Sequence, residues 1–276
     1  IKLQHLSTLE INGKGSFELL QGQITSDMEK VSLHNCVMGS ICDIKGRVVS
    51  SFITSKNVKE NDSFFLVGET EALETTKTIL EKYQPFYDCS LALRKDIKFY
   101  AIEESCLKSD FPESKLDFTS QNYDSFFRLH YLEKKYHLIG FIESEEFKGY
   151  NISKDKLAWE LDEIINQNFE ITSRVMNKFT PHELGYHLTS RIDFEKGCYT
   201  GQEIVARMHY RAKKLPEILV KSTNKEVENF MKVYDRDNKV VGLILSCTKA
   251  ENNYQCLLSM NKNLSLIHIS EPTRPY

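Results

Sequence analysis

The chain has 276 residues, enough for about two domains with a sizeable buried core. Hydrophobic residues make up 41% of it and charged residues 27%, which excludes the disordered, collagen-like and membrane-spanning classes. A formal net charge of -3 excludes the overall basicity of a dedicated nucleic-acid-binding protein, so any contact with RNA would need a local patch.

A first unit that mixes helices with strands is predicted over residues 1–96. Apolar residues at helical spacing predict a helix at residues 16–25 and an amphipathic helix at residues 71–83. Runs rich in β-branched and aromatic residues predict strands at residues 37–44, 47–54, 63–67 and 87–93. Gly46 lies between the first two strands and can adopt a positive φ, which predicts a hairpin there.

A second unit is predicted over residues 97–214. Its strands fall at residues 98–102, 126–131 and 136–142, and a helix follows at residues 154–166. The polar stretch at residues 106–123 is typical of a loop or linker. Both units pair a strand hairpin with a helix, which indicates an α+β fold rather than a parallel βαβ sheet.

The pattern changes to short strands in a third unit, residues 215–263. Strands are predicted at residues 218–222, 233–234, 239–247 and 254–260, with a turn at residues 251–253. Short strands in this number are typical of a small β-barrel or sheet. Residues 264–276 follow none of these periods and end like a translated sequencing adapter, so we expect a non-native tail.

Cysteine usage indicates a reducing compartment. The chain has seven cysteines, an odd number, without a Cys-x-x-Cys pair or a Cys/His cluster at zinc spacing. A cytoplasmic location without a metal site or a membrane contact is therefore expected. For six of the cysteines the simplest interpretation is a small buried apolar residue.

Cys198 differs from the other cysteines because a helix is predicted directly after it. Thr180 and Thr200 each precede a Glu by three residues, which is the spacing of a capping box at a helix start. A helix N-terminus at Thr200 and the cation of Lys196 would both favour a thiolate at Cys198. The alternative interpretation is a structural cysteine in a glycine-rich turn.

An eight-residue motif surrounds this cysteine. It consists of Lys196, Gly197, Cys198, Tyr199, Thr200, Gly201, Gln202 and Glu203. It resembles the K-G-C-Y-x-G-Q-E signature of the YgfZ family, and residues 20–27 and 42–47 are also similar to segments of that family. The likeness covers roughly residues 6–260.

The resemblance implies two ferredoxin-like units around a central folate cavity, followed by a β-barrel. It also implies tetrahydrofolate or a one-carbon derivative as cofactor, and a role in the upkeep of iron-sulfur enzymes that methylthiolate tRNA. The partners would then be folate and iron-sulfur client enzymes or assembly factors, with tRNA an indirect partner. The functional cysteine of the family carries over to Cys198.

The resemblance also implies folate contacts. A folate-contacting Trp of the family falls on Trp159, whereas a second family aromatic falls near Leu6. Trp159 could equally be plain core, since its helix needs an apolar face. In the signature we expect ligand contacts from Lys196, Gly197, Tyr199, Gly201, Gln202 and Glu203, because the two glycines let a ligand approach the backbone.

A basic cluster follows the signature at Arg207, Arg211, Lys213 and Lys214. It could hold the glutamate tail of folate or RNA phosphates, or it could only complement the dipole of its own helix. Three functions stay open at this point: an accessory protein for iron-sulfur enzymes, a folate-dependent aminomethyltransferase, and a direct tRNA-binding module. Whether the chain is an enzyme is open as well, and Asp27 and Asp43 are its candidate catalytic carboxylates.

Overall fold

The structure is a computed structural model, and it describes most of the chain. The described residues are 1–57, 60, 62–106, 119–122, 126–130, 132–133, 135–142 and 156–261. The proposed tail at residues 264–276 lies outside them. No helix in this described part of the chain is long and apolar enough to cross a membrane.

The first sheet has five antiparallel strands and two helices. Its elements are β1 (Leu6–Asn12), α1 (Ser16–Gln23), β2 (Val37–Cys42), β3 (Val48–Lys56), β4 (Ser63–Glu69), α2 (Thr70–Glu81) and β5 (Ser90–Arg94), in the sheet order β2-β3-β4-β1-β5. The hairpin predicted around Gly46 is confirmed, since β2 pairs with β3 and Gly46 has φ +69°. Both predicted helices of this unit are also present.

The two helices cover one face of this sheet. Leu19 and Leu20 of α1 and Leu73 of α2 are fully buried with Leu9 and Phe52 of the sheet in one core cluster. The carboxylate of Glu69 accepts a hydrogen bond from the backbone of Ala72 at 2.7 Å, so Glu69 is the N-cap of α2. Amphipathic spacing therefore placed these helices correctly.

The second sheet is also antiparallel and packs on the first. Its strands are β6 (Ile97–Glu103), β7 (Thr119–Asn122), β8 (Phe126–His130) and β9 (Tyr136–Ile142), in the order β6-β9-β8-β7, and α3 (Leu157–Ile165) follows. Met38 and Ile53 of the first sheet share a core cluster with Phe99 and Leu138 of the second. The prediction of a loop at residues 106–123 is wrong at its end, because residues 119–122 form β7. This polar edge strand lacks the apolar alternation by which a strand is recognised. Residues 107–118 of that loop lie outside the described part.

The third sheet is reached through α4 (Gln202–Arg211). Its strands are β10 (Glu217–Thr223), β11 (Lys232–Tyr234), β12 (Val240–Ala250) and β13 (Asn253–Met260), in the order β10-β13-β12-β11. Among the described residues β10 and β11 do not pair, so the sheet is open where a barrel was expected. The coarser prediction, α+β layers with antiparallel sheets, is confirmed.

One core cluster joins the first sheet to α4 and to the third sheet. It contains Val48 of β3, Ile171 and Leu184 of the connecting segment, Val205 of α4 and Leu245 of β12, all buried. Because these side chains are in mutual contact, the start of α4 lies directly beside the β2–β3 hairpin. This packing places the Cys198 segment.

Candidate functional site

The three sequence segments that resemble the YgfZ family meet at one place in the structure. Residues 20–27 run from the end of α1, residues 42–47 form the β2–β3 turn, and residues 196–203 lead into α4. The backbone of Asp193, three residues before the third segment, donates to the carbonyl of Thr25 at 2.9 Å and so holds the third segment beside the first. More than 150 positions separate them in the sequence.

Lys196 joins these two segments. Its ammonium group donates to the backbone carbonyls of Gln21 and Ile24 at 2.8 Å and of Ser26 at 2.9 Å. These carbonyls lie at and beyond the C-terminal end of α1, where carbonyl groups lack helical partners. Burial lowers the pKa of Lys196 to about 8, so the side chain is still mainly cationic at neutral pH. Lys196 therefore caps α1.

Gly201 joins the third segment to the β2–β3 turn. Its φ is +82°, and a Cβ atom there would lie 2.4 Å from the carbonyl oxygen of Asp43. Glycine is required here for close approach of the turn, whereas the sequence interpretation assigned it to close approach of a ligand. On the other side of the contact, a Cβ on Gly46 would lie 3.0 Å from Ile204.

The capping box expected at Thr200 is not formed. Gly201 is the N-cap of α4 and has no side chain for this bond, while the Thr200 hydroxyl donates to the side chain of Gln23 at 3.0 Å. Cys198 therefore lies four residues before the first helical residue, farther from the helix dipole than the sequence predicted. The Lys196 ammonium, the cation expected beside the thiol, is bound to backbone carbonyls of residues 21, 24 and 26.

Cys198 itself is exposed, between buried residues that hold it. Lys196 and Tyr199 on either side are buried, and the Lys196 ammonium lies 5.5 Å from the centre of the Tyr199 ring. Burial raises the pKa of the Tyr199 hydroxyl. Gly197 is exposed, and a Cβ there would meet nothing within 4 Å. The arrangement presents one thiol on a fixed support with open space beside it.

The segment after Thr180 does not form the expected α-helix. The capping-box bonds are made, with the Glu183 carboxylate accepting from the Thr180 backbone at 2.7 Å. However, Gly185 adopts φ +74° one turn later, and only a short 3-10 turn, Tyr186–Leu188, follows. A helix cannot continue through this left-handed residue.

That turn brings three histidines together beside the Cys198 segment. The ring of His182 lies 4.9 Å from that of His187 and 5.9 Å from that of His209, between ring centres. The ring of Phe194 stacks on His209 at 3.8 Å. On an α-helix His182 and His187, five residues apart, would point to different sides, and the turn at Gly185 brings their rings together instead. Among the described residues, no group of three or more His, Cys, Asp or Glu side chains has the arrangement of a metal site.

Burial dominates the chemistry of this histidine cluster. His182 has no exposed surface, and neither of its ring nitrogens has a hydrogen-bond partner among the described residues. Burial and, secondarily, the neighbouring imidazoles lower the pKa of His182 to about 4, and burial also lowers the pKa of His187. His182 and His187 are therefore neutral at pH 7.

A second candidate location surrounds Trp159. A cavity of about 30 Å³ lies between the first two sheets and α3, and Leu6, Trp159, Glu163 and Glu170 are part of its wall. The two positions that the family resemblance assigned to folate contacts, Trp159 and Leu6, thus line the same cavity. Tyr136 packs edge-on against the Trp159 ring at 6.2 Å.

A buried arginine, which the sequence analysis missed, fixes one carboxylate of this wall. Arg191 has 1% of its surface exposed, forms an ion pair with Glu170 and donates to the side-chain oxygen of Asn168 at 2.7 Å. The Ser51 hydroxyl also donates to Glu170, at 3.0 Å. Burial disfavours the charged form of Glu170, but the Arg191 guanidinium outweighs it and lowers the pKa of this carboxyl.

The basic cluster lies apart from this cavity. Arg207, Arg211, Lys213 and Lys214 are exposed on the last turns of α4 and beyond it, and none of them lines the cavity. The structure therefore does not bring Trp159 together with the signature residues 196–203 or with the cluster. Among the described residues, the predicted site residues form two separate places.

The two candidate catalytic carboxylates have structural bonds. Asp43 accepts hydrogen bonds from the backbone of Lys45 and Arg47, both at 2.9 Å, inside the hairpin turn. Asp27 caps a short 3-10 turn and accepts from the side chain of Gln21 at 2.9 Å. These bonds give both carboxylates a structural role, so their presence does not require a catalytic one.

Comparison with known proteins supports the family resemblance, although no family model matches the chain. The tRNA-modifying protein YgfZ of Colwellia psychrerythraea is 28% identical over 228 residues, which is 77% of this chain and 68% of that protein. YgfZ of Aliivibrio fischeri is 26% identical over 216 residues, or 76% of this chain and 66% of that protein. YgfZ of Vibrio atlanticus is 23% identical over 284 residues, or 92% and 85%.

The fold has a solved counterpart. The crystal structure of the glycine cleavage system aminomethyltransferase T from Bartonella henselae matches with a TM-score of 0.74 over 94% of this chain and 77% of that chain, at 11% sequence identity. Such low identity supports a common fold only. The chain is thus similar to the YgfZ proteins in sequence and to aminomethyltransferase T in fold, which confirms the family resemblance expected from the Cys198 motif.

Proposed function

We propose that this chain is a tetrahydrofolate-binding accessory protein that supports the assembly or repair of iron-sulfur clusters and thereby tRNA modification. One observation carries the accessory role: Cys198 is exposed on a support made by three distant segments. A thiol in an open position can reach a protein partner, whereas a thiol that works on a small molecule is usually enclosed. The name of the relatives, tRNA-modifying protein, agrees with the outcome of that role.

Complementation of a deletion strain tests the role of Cys198. We expect Cys198→Ser to lose the activity of iron-sulfur client enzymes while its melting temperature stays within about 1 °C of wild type, because an exposed side chain contributes little to stability. Cys106→Ser is the matched control, since Cys106 is also exposed and lies outside the motif. Full client activity in the Cys198→Ser strain would reject the proposal.

Folate binding is proposed at the Trp159 cavity. The wall offers an indole ring, apolar side chains and the carboxylates of Glu163 and Glu170, which suit a flat ring with N–H donors. In this conformation the cavity is too small for a pterin. Its volume of about 30 Å³ holds only one or two water molecules, whereas small-molecule pockets have roughly 300 to 1,000 Å³. A pterin would therefore require the wall to open.

Tryptophan fluorescence reports on this cavity directly, because Trp159 is the single Trp of the chain. We expect saturable quenching of the fluorescence by tetrahydrofolate, and weaker binding of tetrahydrofolate to Glu170→Gln in calorimetry. Glu217→Gln is the matched control, since Glu217 is exposed at the start of β10 and does not line the cavity. Equal affinity in wild type and both variants would place folate elsewhere or nowhere on this chain.

The fold favours one alternative, a folate-dependent aminomethyltransferase. Such an enzyme would turn over a one-carbon folate without a partner, whereas an accessory protein would bind folate and act only on a client. Incubation of the purified chain with tetrahydrofolate and an aminomethylated carrier protein, with methylenetetrahydrofolate and ammonia measured as products, separates the two. Turnover that survives Cys198→Ser would favour the enzyme.

Direct tRNA binding is a further alternative that rests on the basic cluster alone. Arg207, Arg211, Lys213 and Lys214 are exposed and could contact phosphates. Removal of two of these charges should then weaken tRNA binding and reduce its dependence on salt. An unchanged affinity would leave the cluster as a complement to the α4 dipole.

A further inference from the structure

A second and much larger cleft lies between residues 174–179 and the third sheet. It has a volume of about 570 Å³ and is formed by residues 174–179 together with the turn before β11 and the strand β12. This volume is within the usual range of small-molecule sites. Its wall includes Arg174, Lys178, Phe179, Phe230 and Cys247, and none of these residues belongs to the Trp159 cavity or to the Cys198 motif.

Cys247 faces a second thiol across the sheet. It lies directly opposite Cys256 in the antiparallel pair β12–β13. Opposite residues of such a pair have Cα atoms about 4.5 to 5.5 Å apart and side chains on the same face, and disulfides form at Cα distances of about 4.4 to 6.8 Å. A disulfide between these two cysteines therefore needs no change of the backbone.

The two thiols differ in access and in acidity. Cys247 is half-buried and lines the cleft, whereas Cys256 is fully buried in the core of the third sheet. The Cys247 thiol donates to the backbone carbonyl of Val227 at 3.5 Å, and its interaction with the Cys256 side chain lowers the pKa of Cys247 and raises the pKa of Cys256. The accessible thiol is thus the better nucleophile, and the buried thiol stays protonated behind it.

The rest of the cleft wall suits an anionic molecule with an apolar or aromatic part. Arg174 and Lys178 are exposed cations of the wall, and they outnumber Glu228, the acidic residue that also lines it. The rings of Phe179 and Phe230 stack with an angle of 25° and 6.3 Å between centres, and Phe230 is held at φ +70°. A side chain held in this unfavourable backbone region indicates a wall that the surrounding packing fixes.

We propose that Cys247 and Cys256 form a dithiol site that is oxidised by anionic low-molecular-weight disulfides bound in this cleft. In the first step the Cys247 thiolate attacks one sulfur of the bound disulfide, a mixed disulfide forms, and the other half leaves as a thiolate that takes up a proton. In the second step Cys256 loses its proton to solvent and attacks the Cys247 sulfur, so that the second half leaves. The protein loses two hydrogen atoms, and the small disulfide becomes two thiols.

The order of the two cysteines is tested in a protein whose other accessible thiols are removed by Cys89→Ser, Cys106→Ser and Cys198→Ser. With excess dithionitrobenzoate, an anionic aromatic disulfide, we expect release of two thionitrobenzoates per protein. Peptide mapping should then find a disulfide between Cys247 and Cys256. Cys256→Ser should release one and keep a mixed disulfide, whereas Cys247→Ser should react at least about tenfold more slowly.

Two results would overturn the dithiol site. One is a stable mixed disulfide at Cys247 while Cys256 is present. The other is the same reaction rate with and without Cys247. The mapping is done on the protein that keeps both cysteines, so a folding defect of Cys256→Ser would leave the main outcome readable.

Recognition of the anion is tested by reversing charges of the wall. The double variant Arg174→Glu with Lys178→Glu should react about tenfold more slowly with dithionitrobenzoate. Its reaction rate with neutral dithiodipyridine should stay within about twofold of the unsubstituted protein. Arg236→Glu with Lys239→Glu is the matched control, since both residues are exposed near β11 and outside the cleft. Equal slowing of both disulfides, or of neither, would overturn the assignment of the cleft to anionic disulfides.

Discussion

The buried histidine cluster predicts a specific loss of stability in acid. His182 has a pKa of about 4 in the folded chain, against about 6.5 for an unfolded imidazole. Between these two values the unfolded state binds more protons, so the free energy of unfolding falls as the pH drops from about 6.5 towards 4. Above about pH 7 the imidazole is neutral in both states and this loss is absent.

The size of the effect follows from the two pKa values. Their difference gives a loss of about 2 kcal/mol between pH 8 and pH 5 from this single group. For a chain of this length that corresponds to a fall of about 3 to 4 °C in melting temperature. His182→Leu keeps a similar side-chain volume and removes the titrating group. Between pH 8 and pH 5 its melting temperature should therefore fall by about 3 to 4 °C less than that of wild type.

Differential scanning calorimetry of wild type and His182→Leu at pH 8 and pH 5 provides the measurement. At pH 8 we expect the variant to be as stable as wild type or slightly more stable, because two unpaired buried ring nitrogens are removed. His34→Leu controls for the loss of one imidazole, since His34 is exposed. Parallel pH profiles of wild type and His182→Leu would refute the reasoning.

Three further predictions concern the support of Cys198 and the end of the chain. Lys196→Met should lower the free energy of unfolding by about 2 to 4 kcal/mol in urea, because three backbone carbonyls lose their charged donor; unchanged stability would contradict the cap. Gly201→Ala should destabilise by at least about 2 kcal/mol in the same assay, whereas Gly197→Ala should stay within about 0.5 kcal/mol, and similar losses for both would reject the close approach at Gly201. A chain that ends at residue 263 should keep its melting temperature, and a clear drop would show that the tail packs as native structure.

Local pattern was enough for most of the elements. Apolar spacing located the helices α1 and α2, and Gly46 between two β-branched runs located the hairpin β2–β3. These features depend on neighbours a few positions apart, so the sequence contains their full cause. Local pattern failed where one residue overrides it, as at Gly185, which ends the helix expected after Thr180.

The motif around Cys198 could be recognised from the sequence, but the roles of its residues could not be assigned from the sequence. Lys196 looked like a cation for the thiol, and packing made it the cap of a helix about 175 positions earlier in the chain. Gly201 looked like space for a ligand, and packing filled that space with the carbonyl of Asp43. Only the contact between segments distinguishes these uses of the same residue types.

The sequence by itself determined the α+β class, most of the strands and the family resemblance, because periodicity and short motifs are local properties. The tertiary structure alone decided which distant side chains share an environment: the three histidines around His182, the ion pair of Arg191 with Glu170, and the facing thiols of Cys247 and Cys256. The physical reason is that burial and charge act over a few ångströms in space. Sheet register and core packing set those distances, and no spacing along the chain encodes them.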